Sequence, residues 1–437
     1  MTQTLSEKSG NLVEHMYLLI FDKSIIRVKM SKCQITSIWA SVGLVIGFAV
    51  SGQNVQAQGS NQIIAQPQPL SITQQNSSLY NKFSPREQTS TVVLDYQIWD
   101  AALQSVVLRL GESIRRRARR PNASVGTRFI SGHKSAYRLE GSRVTFSYMD
   151  NEFKRELSAY RADLVHIANQ IELTHLAKNE QLAFWYNLHN ALVIENIALN
   201  YPTKKPAKLL IGPLQQPFHD AKLVTIKGVP LSLRDIRENI VYRNWDSPKV
   251  IYGFFYGNIG GPALQNYAIT SENVDTVLSM HASEFINSLR GFHAERKTLK
   301  VSVLYQEARP YFFENWTQDL KDHLSKYTTP DVTEELIQDK PIAIDKFDDI
   351  VADLLGGSMP ITSYVSQSTD DIIAPIGVPP EIARLMNELH DKAIVMRRRG
   401  MVNRGGTVII EDIYTSDGED KYDENAEGSL ATQKPEE

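Results

Sequence analysis

The sequence predicts an α+β protein: a helix-rich single domain around a small, mostly antiparallel sheet, between a disordered linker and an acidic tail. Three observations carry that expectation. Apolar residues recur at helical spacing through most of the middle of the chain. Short β-branched runs are broken by Gly and Pro. The two ends lack any sustained apolar period. The 437 residues hold 47 Lys+Arg against 50 Asp+Glu, so no global field attracts nucleic acid, and none is expected as a partner.

The chain begins with an apolar run from Ile35 to Val50, preceded by Arg27, Lys29 and Lys32 and followed by Val55-Gln56-Ala57. A positive flank, a short apolar stretch and small residues make a secretory signal, with cleavage after Ala57 and a start at Met30 that gives it ordinary length. The alternatives are an uncleaved anchor through residues 35–50, which brings membrane association, or a buried helix. Either export reading places the folded part outside the cytoplasm, in the periplasm or beyond. Cys33 is the single cysteine and precedes the cut or lies in the anchor. The folded part then has no disulfide, no cysteine-rich zinc site and no cysteine nucleophile.

Residues 58–90 are rich in Gln, Asn, Ser and Pro and read as a disordered linker. Trp99, Leu103, Val106 and Leu110 then mark one amphipathic helix, and Phe153, Leu157, Tyr160, Leu164 and Ile167 a second. Glu180 to Asn200 is apolar on most sides, the pattern of a helix buried centrally, and it stops before Tyr201-Pro202. Leu223 to Ile226, Lys227-Gly228 and Val229 to Leu231 read as a hairpin leading into a helix from Leu233. Val250 to Tyr256 reads as a strand broken by Gly257, Gly260 and Gly261, with Pro262 opening a short helix. A helix capped by Thr270 and Ser271 presents Val274, Val277, Leu278, Phe285 and Leu289. Thr298 to Leu304 reads as a strand, and Pro380 to Arg398 as the last strong helix, followed by a strand-like Thr407 to Ile410. The boundaries are 92–327 for the main domain, 328–412 for a C-terminal extension and 413–437 for the acidic tail. No internal repeat is present.

The order Ala183-Phe184-Trp185-Tyr186-Asn187-Leu188-His189-Asn190-Ala191, then Gly228-Val229-Pro230-Leu231-Ser232-Leu233-Arg234-Asp235-Ile236, then the glycine–proline element and the helix after Thr270, resembles the DUF547 family over roughly Val92 to Tyr327. That family has no known function, and its likeness to papain- and transglutaminase-like folds warrants little about activity. The resemblance implies a Ser-Cys-Pro where this chain has Gly260-Gly261-Pro262, and an Ile-Glu-His where it has Ile236-Arg237-Glu238. A cysteine–histidine couple works because the base helps form the thiolate and then returns the proton. Gly261 and Glu238 supply neither half. Asn187 and Asn190 match the motif, as polar residues of a degenerate site or as ties between the buried helix and its loops.

Other chemistries find little footing. There is no G-x-S-x-G and no H-E-x-x-H, Ser247, Ser271 and Tyr256 lie in no motif, and the glycines of 257–261 lack a phosphate-loop ending. His189 reads as a core or cleft histidine and His219-Asp220 as a turn. Glu238 with Glu195 or Asp235 is a candidate carboxylate pair. Arg115, Arg116, Arg117, Arg119 and Arg120, five arginines in six residues, form a candidate binding patch for an anionic envelope partner. Asn122-Ala123-Ser124 is a glycosylation sequon by pattern alone. No cofactor or metal is expected. The reading is an exported, non-catalytic binding or structural module; a relocated nucleophile in the same cleft, or an anion- or membrane-surface module working through Arg115–Arg120, stand as alternatives.

Overall fold

The computed structural model describes residues 79–119, 133–359 and 380–401. The signal or anchor, Arg120, the sequon, the strand-like Thr407 to Ile410 and the acidic tail lie outside them. The elements run α1 (Gln97–Val106), β1 (Val107–Arg109), β2 (Ser142–Val144), α2 (Asn151–Gln170) and α3 (Lys178–Leu199). Next come β3 (Leu210–Ile211), β4 (Gln216–Pro217), β5 (Val224–Ile226), β6 (Val229–Leu231), a π-helical stretch Asp235–Val241 and α4 (Tyr242–Asn244). After a 3-10 stretch at Pro248–Gly253 follow α5 (Val274–Ile286), β7 (Phe292–Ala294), β8 (Leu299–Val301), α6 (Val303–Phe312), α7 (Trp316–Ser325), α8 (Pro330–Leu336), β9 (Ile342–Ile344) and α9 (Pro380–Arg398).

The α+β class holds, with the β structure divided among four small sheets. Three are antiparallel pairs, β1–β2, β3–β4 and β5–β6; in the fourth, β8 pairs antiparallel with β7 and parallel with β9. Helices supply most of the core. α3 is buried along nearly its whole length, from Glu180 to Ala198, as its all-round apolar sequence requires. α2 packs along it, opened by Asp150, whose carboxylate accepts from the Phe153 N–H at 2.7 Å.

Four expectations are corrected. Val250 to Tyr256 is no strand: Pro248 starts a 3-10 turn there, and the segment is buried without a ladder partner. A short apolar run alone does not separate a strand from a buried helical turn. Pro262 opens no helix, because the loop after it has its backbone groups taken by side chains. Ser142 Oγ accepts from Leu264 N–H, Asp100 from Ala268 N–H, and Asn187 from Ile269 N–H. The strand expected to reach Leu304 ends at Val301, since Ser302 caps α6. Leu289 lies beyond the end of α5, which runs from Val274 to Ile286 behind a reciprocal hydrogen-bonded pair, Thr270 and Asn273.

Both sequence extensions take part in the fold. Of the stretch read as linker, Phe83 is buried edge-on against Trp185, and Tyr80 Oη donates to Asp235 at 2.6 Å. At the other end, residues 348–352 run along the glycine turn: Ile259 N–H donates to Ile350 O, Gly260 N–H to Asp348 O, and Ala352 N–H to Gly257 O. Val351 and Ala352 belong to the main core. α9 docks through Ile382 and Leu385, through Arg138 to Glu388, and through Lys392, whose ammonium donates to the carbonyls of Leu110 and Leu139. Burial pushes the Lys392 ammonium down to about 8.

Candidate functional site

The two motif asparagines tie α3 to loops. Asn187 Nδ2 donates to Ile269 O at 2.6 Å while its Oδ1 accepts from Ile269 N–H at 3.2 Å. Asn190 makes the same kind of clamp, donating to Gly253 O at 3.1 Å and accepting from Phe255 N–H at 2.9 Å. These are full pairings of buried backbone. Both residues line a cleft with Gln265 and His281 that has room for about one water, roughly 10 Å³. Glu238 and Gly261 are not among its walls.

Gly261 is buried, with both backbone groups paired. Its N–H donates to Asn258 Oδ1 at 3.1 Å and its carbonyl accepts from Arg290 Nη1 at 2.7 Å. A Cβ built there meets Tyr256 Cβ at 3.2 Å, and one at Gly260 meets Asp348 O and the Phe347 ring at 2.8 Å. Glu238 accepts from Arg234 one helical turn back, at 2.9 Å. Burial, then the neighbouring Glu307 charge, raises its carboxyl above the usual range. The proposed carboxylate pair does not form. Glu195 is held by Arg161, and Asp235 by Lys222, Ser232 and Tyr80, so each carboxylate has its own donors.

The centre that does form is built around Arg237, which no sequence motif singles out. Its side chain is 1% exposed. Nε and Nη2 donate to the two Glu307 oxygens at 2.9 and 3.3 Å, a fork-to-fork pair. The guanidinium lies 4.5 Å over the Tyr256 ring, and Tyr256 Oη donates to Glu307 at 2.8 Å. Nη1 reaches His189 Nε2 at 3.3 Å and His219 Nδ1 at 3.4 Å. Arginine only donates, so both ring nitrogens accept. His189 therefore carries its proton on Nδ1, which donates to Asn190 Oδ1 at 3.1 Å. The family-motif asparagine thus sits at the end of a chain that runs Glu307, Arg237, His189, Asn190.

Charge follows from this packing. Burial, then the Arg237 charge, pushes His219 down to about 3 and His189 well below its ordinary value, so both are neutral. Burial alone would raise the Glu307 carboxyl, but Arg237 and the Tyr256 hydroxyl outweigh it and hold it low. Burial drives the Tyr256 phenol well up, so the hydroxyl keeps its proton. The hydroxyl–imidazole couples Thr89–His175 (2.7 Å) and Tyr252–His323 (2.8 Å) involve neither Gly261 nor Glu238. Among the described residues, no group of three or more His, Cys, Asp and Glu is arranged to hold a metal.

The arginine run is split. Arg115 is bound internally, to Glu335 at 2.7 Å and to the carbonyls of Asn287 and Phe292 at 3.2 Å. Arg116, Arg117 and Arg119 are exposed, with Arg117 resting 5.8 Å from the Tyr137 ring. No helix among the described residues is long and apolar enough to cross a membrane.

No curated protein and no solved structure matches the chain. Residues 173–286 match the model of DUF547, a protein family of unknown function, and this segment contains Asn187, Asn190, Arg237, Glu238 and Gly261 while leaving Glu307 outside. The chain carries a DUF547 domain.

Proposed function

We propose that this DUF547 domain works as a non-catalytic binding or structural module of the cell envelope, a pseudoenzyme in which the expected nucleophile and base positions hold Gly261 and Glu238. The observation that carries the reading is the buried glycine at 261, which offers no side chain for chemistry. Its backbone groups are spent on Asn258 and Arg290, and residues 347–348 cover the neighbouring Gly260. A hydrolase needs a reacting group in reach of a base beside space for the substrate. His189 and His219, the imidazoles beside Glu238's neighbour Arg237, accept from that buried arginine instead. The setting inferred is export, from the Ile35–Val50 segment, and the partner is a protein or an anionic envelope component.

The test is covalent labelling of the full chain with fluorophosphonate, epoxide and vinyl sulfone probes, followed by mass spectrometry of peptides. The expected result is no stoichiometric adduct. One adduct on a single Ser, Thr, Tyr or carboxylate, lost on denaturation, establishes a relocated nucleophile and overturns the reading.

A further inference from the structure

The β3–β4 hairpin carries a surface that neither the ion-pair centre nor the glycine turn explains. Gly212 and Gln215 have φ of 70° and 49°, which turns the chain tightly around Pro213 and Leu214. A Cβ built on Gly212 meets nothing within 4 Å, so the turn stands clear of the body. Leu214 at the tip is 82% exposed, Leu210 at the base 53%, and Leu199 at the end of α3 55%. Single exposed leucines are ordinary, but these fall in one short stretch. Between Leu199 and His219 the sequence has Lys204, Lys205 and Lys208 and no carboxylate. All three lysines are exposed, and among the described residues only Lys205 meets a carboxylate, Asp349 at 2.8 Å.

An apolar tip on a lysine-rich base is the arrangement that interfacial docking uses, with leucines below the headgroups and ammonium groups at the phosphates. A groove on a protein would take the leucines without needing that excess of positive charge. We propose that residues 209–218, with Lys204 and Lys208 in the exposed stretch that leads into them, dock the domain on an anionic lipid surface.

The experiment uses the full chain with Cys33→Ser and Leu214→Cys, labelled at 214 with a polarity-sensitive fluorophore. Because the probe reports only the hairpin, binding through Ile35–Val50 does not imitate the signal. Vesicles of phosphatidylcholine with phosphatidylglycerol are expected to raise and blue-shift the emission several-fold, and pure phosphatidylcholine to leave it unchanged. Adding Lys204→Gln and Lys208→Gln is expected to weaken the vesicle affinity about thirtyfold, from the charge each lysine contributes near an anionic surface. An unchanged probe on both vesicles overturns the proposal. So does an equal response to both, or a change that appears without vesicles and grows with protein concentration, which marks a second copy as the occupant.

Discussion

Arg237 and Glu307, 70 positions apart, meet through two hydrogen bonds in the interior, with the arginine face over Tyr256 and its remaining edge against two histidines. Such a pair is weak ground for stability as a whole, but removing one partner strands a buried charge. Glu307→Gln is therefore expected to destabilise the fold by about 3–5 kcal/mol in urea titration. The double variant Arg237→Met with Glu307→Leu should recover much of that loss. A Glu307→Gln protein as stable as the wild type would show that the arginine finds water instead.

Buried histidines set an acid limit. His219 is held down to about 3 and His281 and His323 to about 4, each chiefly by burial. The unfolded chain binds those protons near 6.5, so stability is complete above that pH and falls as pH drops towards the folded values. Glu307, depressed below its ordinary value, loses its contribution in the same direction once pH falls below the usual carboxylate range. One such histidine is worth about 2 kcal/mol between pH 6.5 and pH 5. The urea midpoint should therefore fall markedly from pH 7.5 to pH 5, and an unchanged midpoint would mean that these rings are protonated in the fold.

Asn187 is expected to be a structural clamp. Asn187→Ala leaves the N–H and the carbonyl of Ile269 unpaired in the interior, at about 1–3 kcal/mol for each group. Amide hydrogen exchange should rise first in the loop from Pro262 to Thr270. Protection unchanged in that loop would contradict the clamp.

Gly260 is expected to tolerate nothing larger. Gly260→Ala presses a methyl on Asp348 O and Phe347 and should cost about 1–3 kcal/mol, read as a lower thermal midpoint. Gly212→Ala, with open space around it but a positive φ, isolates the backbone part of a glycine's role.

Much of this architecture was legible in the sequence. α3 announced itself by being apolar on nearly all sides, and the β5–β6 hairpin by Lys227-Gly228 between β-branched runs. The ion-pair centre was not, because sequence spacing cannot bring residue 307 to residue 237. A signal for half of it was present. Leu233, Ile236, Ile240 and Val241 mark a helical stripe, and Arg237 falls on that same stripe. A charge on a buried face calls for a partner. The family resemblance points to Glu238, where it implies a histidine, and marks nothing at its neighbour Arg237. Val250 to Tyr256 misled for the opposite reason: its composition favours strands, while Pro248 and burial on all sides decide the local turn.

The pairing of Gly257 to Gly260 with residues 348–352 also orders events during synthesis. The glycine turn leaves the ribosome long before the segment that completes its hydrogen bonds, so the middle of the protein waits, with open backbone, for a later stretch of chain. Those hydrogen bonds can close only after residues 348–352 have emerged, so the turn is completed by a late stretch of chain.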